Sequence, residues 1–154
     1  KGYIVNKAVE ALKREGVTRG IIHAGGDMVV FQKGEKEPFS IGIQHPRKKQ
    51  LLGKALVYNG AVATSGDYER FFEIGGKRYH HILDPRTGFP AEGTRSATIV
   101  AKDPTLADAL STAVFVMGPQ KGMELIERLP DVEGVIVDSE GRVVKSSGFK
   151  GEIY

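Results

Sequence analysis

The stretch KALVYNGAVAT, Lys54 to Thr64, holds two short β-prone runs on either side of Asn59-Gly60. Asn-Gly is the favoured dipeptide of a two-residue hairpin, because both of its residues tolerate positive φ. Read this way, Lys54–Thr64 is strand, turn, strand. Downstream, Arg70 to Ile74 and Lys77 to Leu83 flank Gly75-Gly76 and read as a second hairpin. Gly134 to Val137 and Arg142 to Lys145 bracket the turn residues Asp138 to Gly141 and read as a third.

Upstream, Phe39 to Gln44 has the alternation of a half-buried strand, and Thr18 to His23 and Met28 to Gln32 are strands about a glycine turn, Ala24 to Asp27. Arg95 to Ala101 adds a further strand. Three segments have helical character. The apolar residues Ile4, Val5, Ala8, Val9, Ala11 and Leu12 recur at helical spacing ahead of Gly16. Pro104 to Met117 has Asp103 as N-cap and Pro104 at the first turn, and Pro119 to Leu129 follows Gly118. Strands joined by turns, with helices grouped towards the two ends, predict an α+β fold with a mainly antiparallel sheet and flanking helices.

At 154 residues, 40% hydrophobic and 27% charged, the chain has the size and composition of one folded domain. No internal repeat or linker divides it. The longest apolar run, Ala113 to Met117, is far too short for a transmembrane helix. A net charge of +3 with scattered basic residues provides no nucleic-acid stripe, and the basic triplet Arg47-Lys48-Lys49 reads as a solvated turn. The absence of cysteine excludes disulfides, thiolate metal sites and cysteine nucleophiles.

Chemistry concentrates in two segments. Tyr79 to Pro90 carries His80, His81, Asp84 and the Thr87-Gly88 turn, a titratable cluster leaving a strand. In Ala107-Asp108-Ala109-Leu110-Ser111-Thr112, Asp108 and Thr112 are one helical turn apart and share a face, presenting the oxygen ligands that magnesium prefers. Thr105-x-x-Asp108 also fits a capping box. Two small-residue turns, Gly25-Gly26-Asp27 and Ser65-Gly66-Asp67, would let a ligand approach the backbone, but neither has the form of a P-loop or a Rossmann glycine turn.

In order along the chain, Lys1-Gly2-Tyr3, Gly25-Gly26-Asp27, Ala63 to Tyr68, His81 to Gly88 and Ala107 to Thr112 closely resemble the ApbE family of FAD:protein FMN transferases. The resemblance implies magnesium-dependent transfer of FMN from FAD to a threonine or serine hydroxyl of a flavin-acceptor protein, with release of AMP. FAD hydrolysis to FMN and AMP, or FAD binding without chemistry, are the alternatives. By matching motif, Asp108 and Thr112 are implied metal ligands and His81 the histidine near the reacting phosphates, with His81, Asp84 and Asp67 all candidates for general base. Lys1, Ile82, Gly25, Gly26, Asp27, Ser65, Gly66, Asp67 and Asp84 are implied on the cofactor side. Asn6 stands where the family usually has aspartate. The resemblance further implies that residues 1–154 are the carboxy-terminal part of the transferase domain, that an amino-terminal portion completes the flavin pocket and one metal ligand, and that the whole protein is an extracytoplasmic lipoprotein.

Overall fold

The computed structural model describes residues 1–34 and 37–154. Its elements, in chain order, are α1 (Gly2–Arg14), β1 (Arg19–Ala24), β2 (Asp27–Gln32), β3 (Phe39–Gln44), β4 (Leu51–Val57), β5 (Gly60–Gly66), β6 (Phe71–Ile74), β7 (Lys77–His80), β8 (Thr94–Ala101), α2 (Pro104–Met117), α3 (Pro119–Arg128), β9 (Val132–Asp138), β10 (Val143–Lys145) and β11 (Gly151–Ile153). A six-stranded sheet runs β1-β2-β5-β8-β9-β10, a three-stranded sheet runs β11-β4-β3, and β6 and β7 form a two-stranded sheet. Among the described residues every strand pairing is antiparallel, in keeping with the mainly antiparallel sheet that the sequence predicts.

Period-two alternation builds three layers from this order. On one face of the six-stranded sheet, Val29, Phe31, Ala63, Ala97, Ile99 and Ile136 meet Val5 and Val9 of α1, Val114 and Phe115 of α2 and Ile126 of α3. On the other face, Val30, Val62, Val135 and Val137 meet Ile41 and Ile43 of β3, Leu52, Ala55 and Val57 of β4, and Phe149. Each fully buried Val, Ile or Phe contributes about 1.5–3 kcal/mol relative to exposure, so both interfaces are needed to hold the layers. No helix among the described residues is long and apolar enough to cross a membrane.

The Lys54–Thr64 hairpin does not form. Its two runs are β4 and β5, and they belong to different sheets. β5 is central, with β2 on one edge and β8 on the other, so no edge remains for β4. Asn59-Gly60 is instead the step between layers. The Asn59 side-chain oxygen accepts a hydrogen bond from the Gln32 N–H at 2.8 Å, which pins the step to the end of β2. Gly60 adopts φ +136°, and a Cβ there would lie 2.5 Å from the Ala101 carbonyl oxygen, so no other residue fits.

The other two hairpins form. Gly75 and Gly76, at φ 56° and 76°, make the β6–β7 turn, and β9 pairs with β10. The sequence reading did not include β11, which returns after the β9–β10 hairpin to pair with the free edge of β4.

Candidate functional site

The start of α2 frees Asp108 from a capping role. Asp103 is the helix cap, its carboxylate accepting from the Thr105 N–H at 2.8 Å, so the Thr105–Asp108 capping box does not form. Asp108 is thereby released to face α1. Its Oδ2 accepts from the Gly2 N–H at 2.8 Å. A Cβ on Gly2 would run into the Pro104 carbonyl, so glycine is required for the two helix starts to meet.

Around Asp108, four elements converge. Asp27 is carried in by the two-residue turn between β1 and β2, where Gly25 and Gly26 adopt φ 53° and 93°. The Lys1 ammonium lies 2.8 Å from Asp27 Oδ2 and 3.3 Å from Asp108 Oδ1. From β5, the Ser65 hydroxyl is 2.9 Å from the Ser111 hydroxyl and 3.0 Å from that of Thr112. Ser111 also donates to the Asp108 carbonyl oxygen at 2.9 Å. Asp27, Ser65, Asp108 and Thr112, distant in sequence, therefore share one end of the molecule. Ser111 was assigned no role from the sequence, although it lies between Asp108 and Thr112. Only the helical phase of α2 against β5 brings it in.

The two carboxylates differ electrostatically. Burial raises the pKa of Asp27, and the nearby Asp108 raises it further, against the opposing pull of Lys1. Burial also pushes Asp108 upward, but the Gly2 N–H and the Lys1 ammonium outweigh it and hold this carboxyl below its ordinary value. Apart from the Lys1 ammonium, neither carboxylate oxygen of Asp27 has a hydrogen-bond partner among the described residues. A donor set of two carboxylates and neighbouring hydroxyls suits a hard cation such as magnesium, which takes one or two carboxylates and leaves positions for water and phosphate. Among the described residues no three His, Cys, Asp or Glu side chains converge, so the protein groups here would not enclose such an ion.

The histidine segment forms a separate cluster. His80 is buried at the end of β7, and its Nε2 donates to the Ala91 carbonyl at 3.1 Å while its Nδ1 accepts from the Ile82 N–H. His81 is exposed. Its Nδ1 lies 3.2 Å from the Arg70 carbonyl, which makes Nδ1 the donor and leaves the Nε2 lone pair outward. No hydrogen bond links His81 to the Asp27–Asp108 group among the described residues. Ile82 is a core residue, and its carbonyl accepts from Ala91. Asp84 is chelated by Arg86, whose guanidinium and backbone N–H hold its carboxyl down at about 2.

Asp67 is more constrained. It is buried, paired through both oxygens with the Arg47 guanidinium, and 3.7 Å from Arg78. Arg47 is therefore not the solvated turn residue that the sequence suggests. A Cβ on Gly66 would overlap the Tyr68 ring, so this glycine serves packing. Asn6 lies half-buried on α1. A cavity of about 620 Å³ lies on the other face of the six-stranded sheet, against β3, with Met28, Ile41 and Val62 as apolar floor and Gly26, Thr64 and Tyr68 at its margin; none of Asp27, Ser65, Asp108 and Thr112 lines it.

The layered α+β fold thus gathers carboxylates and hydroxyls where α1, the β1–β2 turn, β5 and α2 meet. The chain belongs to the ApbE family, whose sequence model matches residues 1–136. It is 34% identical to an FAD:protein FMN transferase of Klebsiella pneumoniae (strain 342), over 96% of this chain and 46% of the relative. It is 35% identical to one of Treponema pallidum (strain Nichols), over 97% of this chain and 44% of the relative. Among solved structures, the ApbE protein of Thermotoga maritima MSB8 superposes with TM-score 0.86 at 42% identity, covering 95% of this chain and 48% of that one. The apo flavinyl transferase ApbE of Pseudomonas stutzeri gives TM-score 0.77 at 34% identity, over 95% and 47%. The chain thus spans about half the length of the curated relatives it matches.

Proposed function

We propose that the protein to which this chain belongs transfers FMN from FAD to a threonine or serine hydroxyl of an acceptor protein, with magnesium, and releases AMP. The observation that carries this reading is the convergence of Asp108, Thr112 and Ser65 with the buried Asp27 in a chain related to FAD:protein FMN transferases. Asp108 and Thr112 would hold the magnesium ion. The ion supplies neutralisation of pyrophosphate charge.

The chain's own groups account for the remaining work. The Ser65 hydroxyl, itself bonded to Ser111, fixes the Thr112 hydroxyl from one side, and the Gly2 N–H fixes the Asp108 carboxylate from the other. The His81 Nδ1–H, donated to the Arg70 carbonyl, sets the tautomer whose Nε2 can accept a proton. The acceptor oxygen attacks the FMN phosphorus, the bond from that phosphorus to the bridging oxygen breaks, and AMP departs with the electron pair. The hydroxyl proton passes to His81 Nε2. Asp67 and Asp84 are poor alternatives as base, since each is committed to arginine.

The test is Asp108→Asn in the full-length protein. Incubated with FAD, magnesium and an acceptor protein, it should lose nearly all flavinylation and AMP release while melting close to wild type. Wild-type transfer at low magnesium, with a melting temperature lowered by several degrees, would assign Asp108 to helix stability instead. Free FMN without flavinylated acceptor would identify a hydrolase, and FAD binding without AMP a carrier.

A further inference from the structure

Asp27 is a buried carboxylate that its own turn does not explain. Gly25 and Gly26 supply the positive φ angles of the β1–β2 reversal, so the turn closes without help from the next side chain. The Asp27 side chain is nevertheless only 3% exposed, and apart from the Lys1 ammonium beside Oδ2 neither oxygen has a hydrogen-bond partner among the described residues. A charged group in such a place is strongly disfavoured unless another charge compensates it. Its compensating neighbour is the Lys1 ammonium, which also lies against Asp108. The Lys1 side chain is 49% exposed, so it can leave without unpacking the core.

We propose that Asp27 and Asp108 form a paired-carboxylate cation site in which the Lys1 ammonium is the resident cation until a divalent ion displaces it. This rests on the magnesium reading of Asp108 and Thr112 above, and adds Asp27 as a positioning residue and Lys1 as a competitor. An ammonium between two carboxylates from separate elements holds α1, the β1–β2 turn and α2 in register before metal arrives. A divalent ion then meets a formed site in place of two repelling carboxylates. Displaced, the ammonium stays beside the site, where it can pair with an anionic ligand.

The experiment is a magnesium titration of the full-length protein without substrate, read by the midpoint of thermal unfolding. Lys1→Met should lower the midpoint in the absence of metal, because Asp27 loses its counter-charge. The same variant should half-saturate at about two- to fivefold less magnesium, because the competitor is gone and exposed ion pairs are worth that much. Asp27→Asn should fold at least as well as wild type, since a buried charge is removed, yet should need roughly tenfold more magnesium. In the Asp27→Asn background, Lys1→Met should no longer sharpen binding. An unchanged half-saturation in Lys1→Met, or an equal effect of Lys1→Met with and without Asp27, overturns the proposal. Asp108→Asn separates the two levels. If it weakens magnesium binding while the Lys1 and Asp27 variants do not, only this inference fails. If Asp108→Asn leaves magnesium binding unchanged as well, the magnesium reading fails with it.

Discussion

His80 turns inward from the end of β7, its ring meeting that of Phe115 edge-on at 5.4 Å, while His81 turns out to solvent. Burial lowers the pKa of His80 from its ordinary 6.5, against the weaker raising effect of its bond to the Ala91 carbonyl. The unfolded chain therefore takes up this proton more readily than the folded one. The stabilisation is complete above the ordinary value and is lost as pH falls towards the lowered one. The melting temperature should accordingly decline as pH falls below the ordinary histidine value, and His80→Gln should flatten that decline. A slope equal to wild type in the variant would show that His80 does not hold its proton off in the fold. Sequence could not have ranked the two histidines by burial. It placed both at the end of a strand, but which one faces inward depends on the register of β6–β7 and on the position of Phe115. Asp108 and Thr112 were easier to read, because a four-residue spacing on a helix is itself a geometric statement. That Asp27 and Ser65 join them was legible only through the family resemblance, since these contacts bridge separate elements.

Among the elements, β5 governs the architecture. Buried on both faces and paired on both edges, it cannot accept its sequence neighbour β4. The Asn59-Gly60 signal was therefore read correctly as a reversal-prone dipeptide and wrongly as a hairpin. Local chain chemistry specifies the backbone conformation, while strand pairing is decided by which edges remain free. The Gly75-Gly76 hairpin was legible because, among the described residues, β6 and β7 pair with no other strand. Strand β11 escaped notice since three residues carry too little alternation to mark a strand. Gly60→Ala should destabilise the protein by roughly 1–3 kcal/mol through positive φ and the collision with the Ala101 carbonyl. Denaturant unfolding would measure it. A cost within error of zero would mean that the step between sheets can relax.

Over the whole molecule, one carboxylate joins all three sheets. Asp67 follows β5 of the six-stranded sheet, Arg47 lies between β3 and β4 of the three-stranded sheet, and Arg78 belongs to β7. Arg47→Met removes the bidentate partner and leaves Asp67 buried with only the longer contact to Arg78. The expected loss is roughly 2–4 kcal/mol, below the cost for a fully buried pair because Arg47 remains partly exposed. Combined with Asp67→Asn, the loss should be well short of the sum of the two single changes. Strict additivity in chemical denaturation would mean that the two side chains do not work as a pair.

The return of residues 149–153 to β4 also sets an order in time. Gly151 pairs with Ala55, and Phe149 fills the cluster that contains Leu52 and Val57. Closing so long a loop is entropically costly before the contacts that reward it exist, and it slows folding. During synthesis, β3 and β4 emerge from the ribosome well before β11, with one strand edge open and Phe149 still to come. Through that interval the nascent chain presents an unpaired edge on which a foreign strand could add, so the return of β11 acts as a late closure against misassembly.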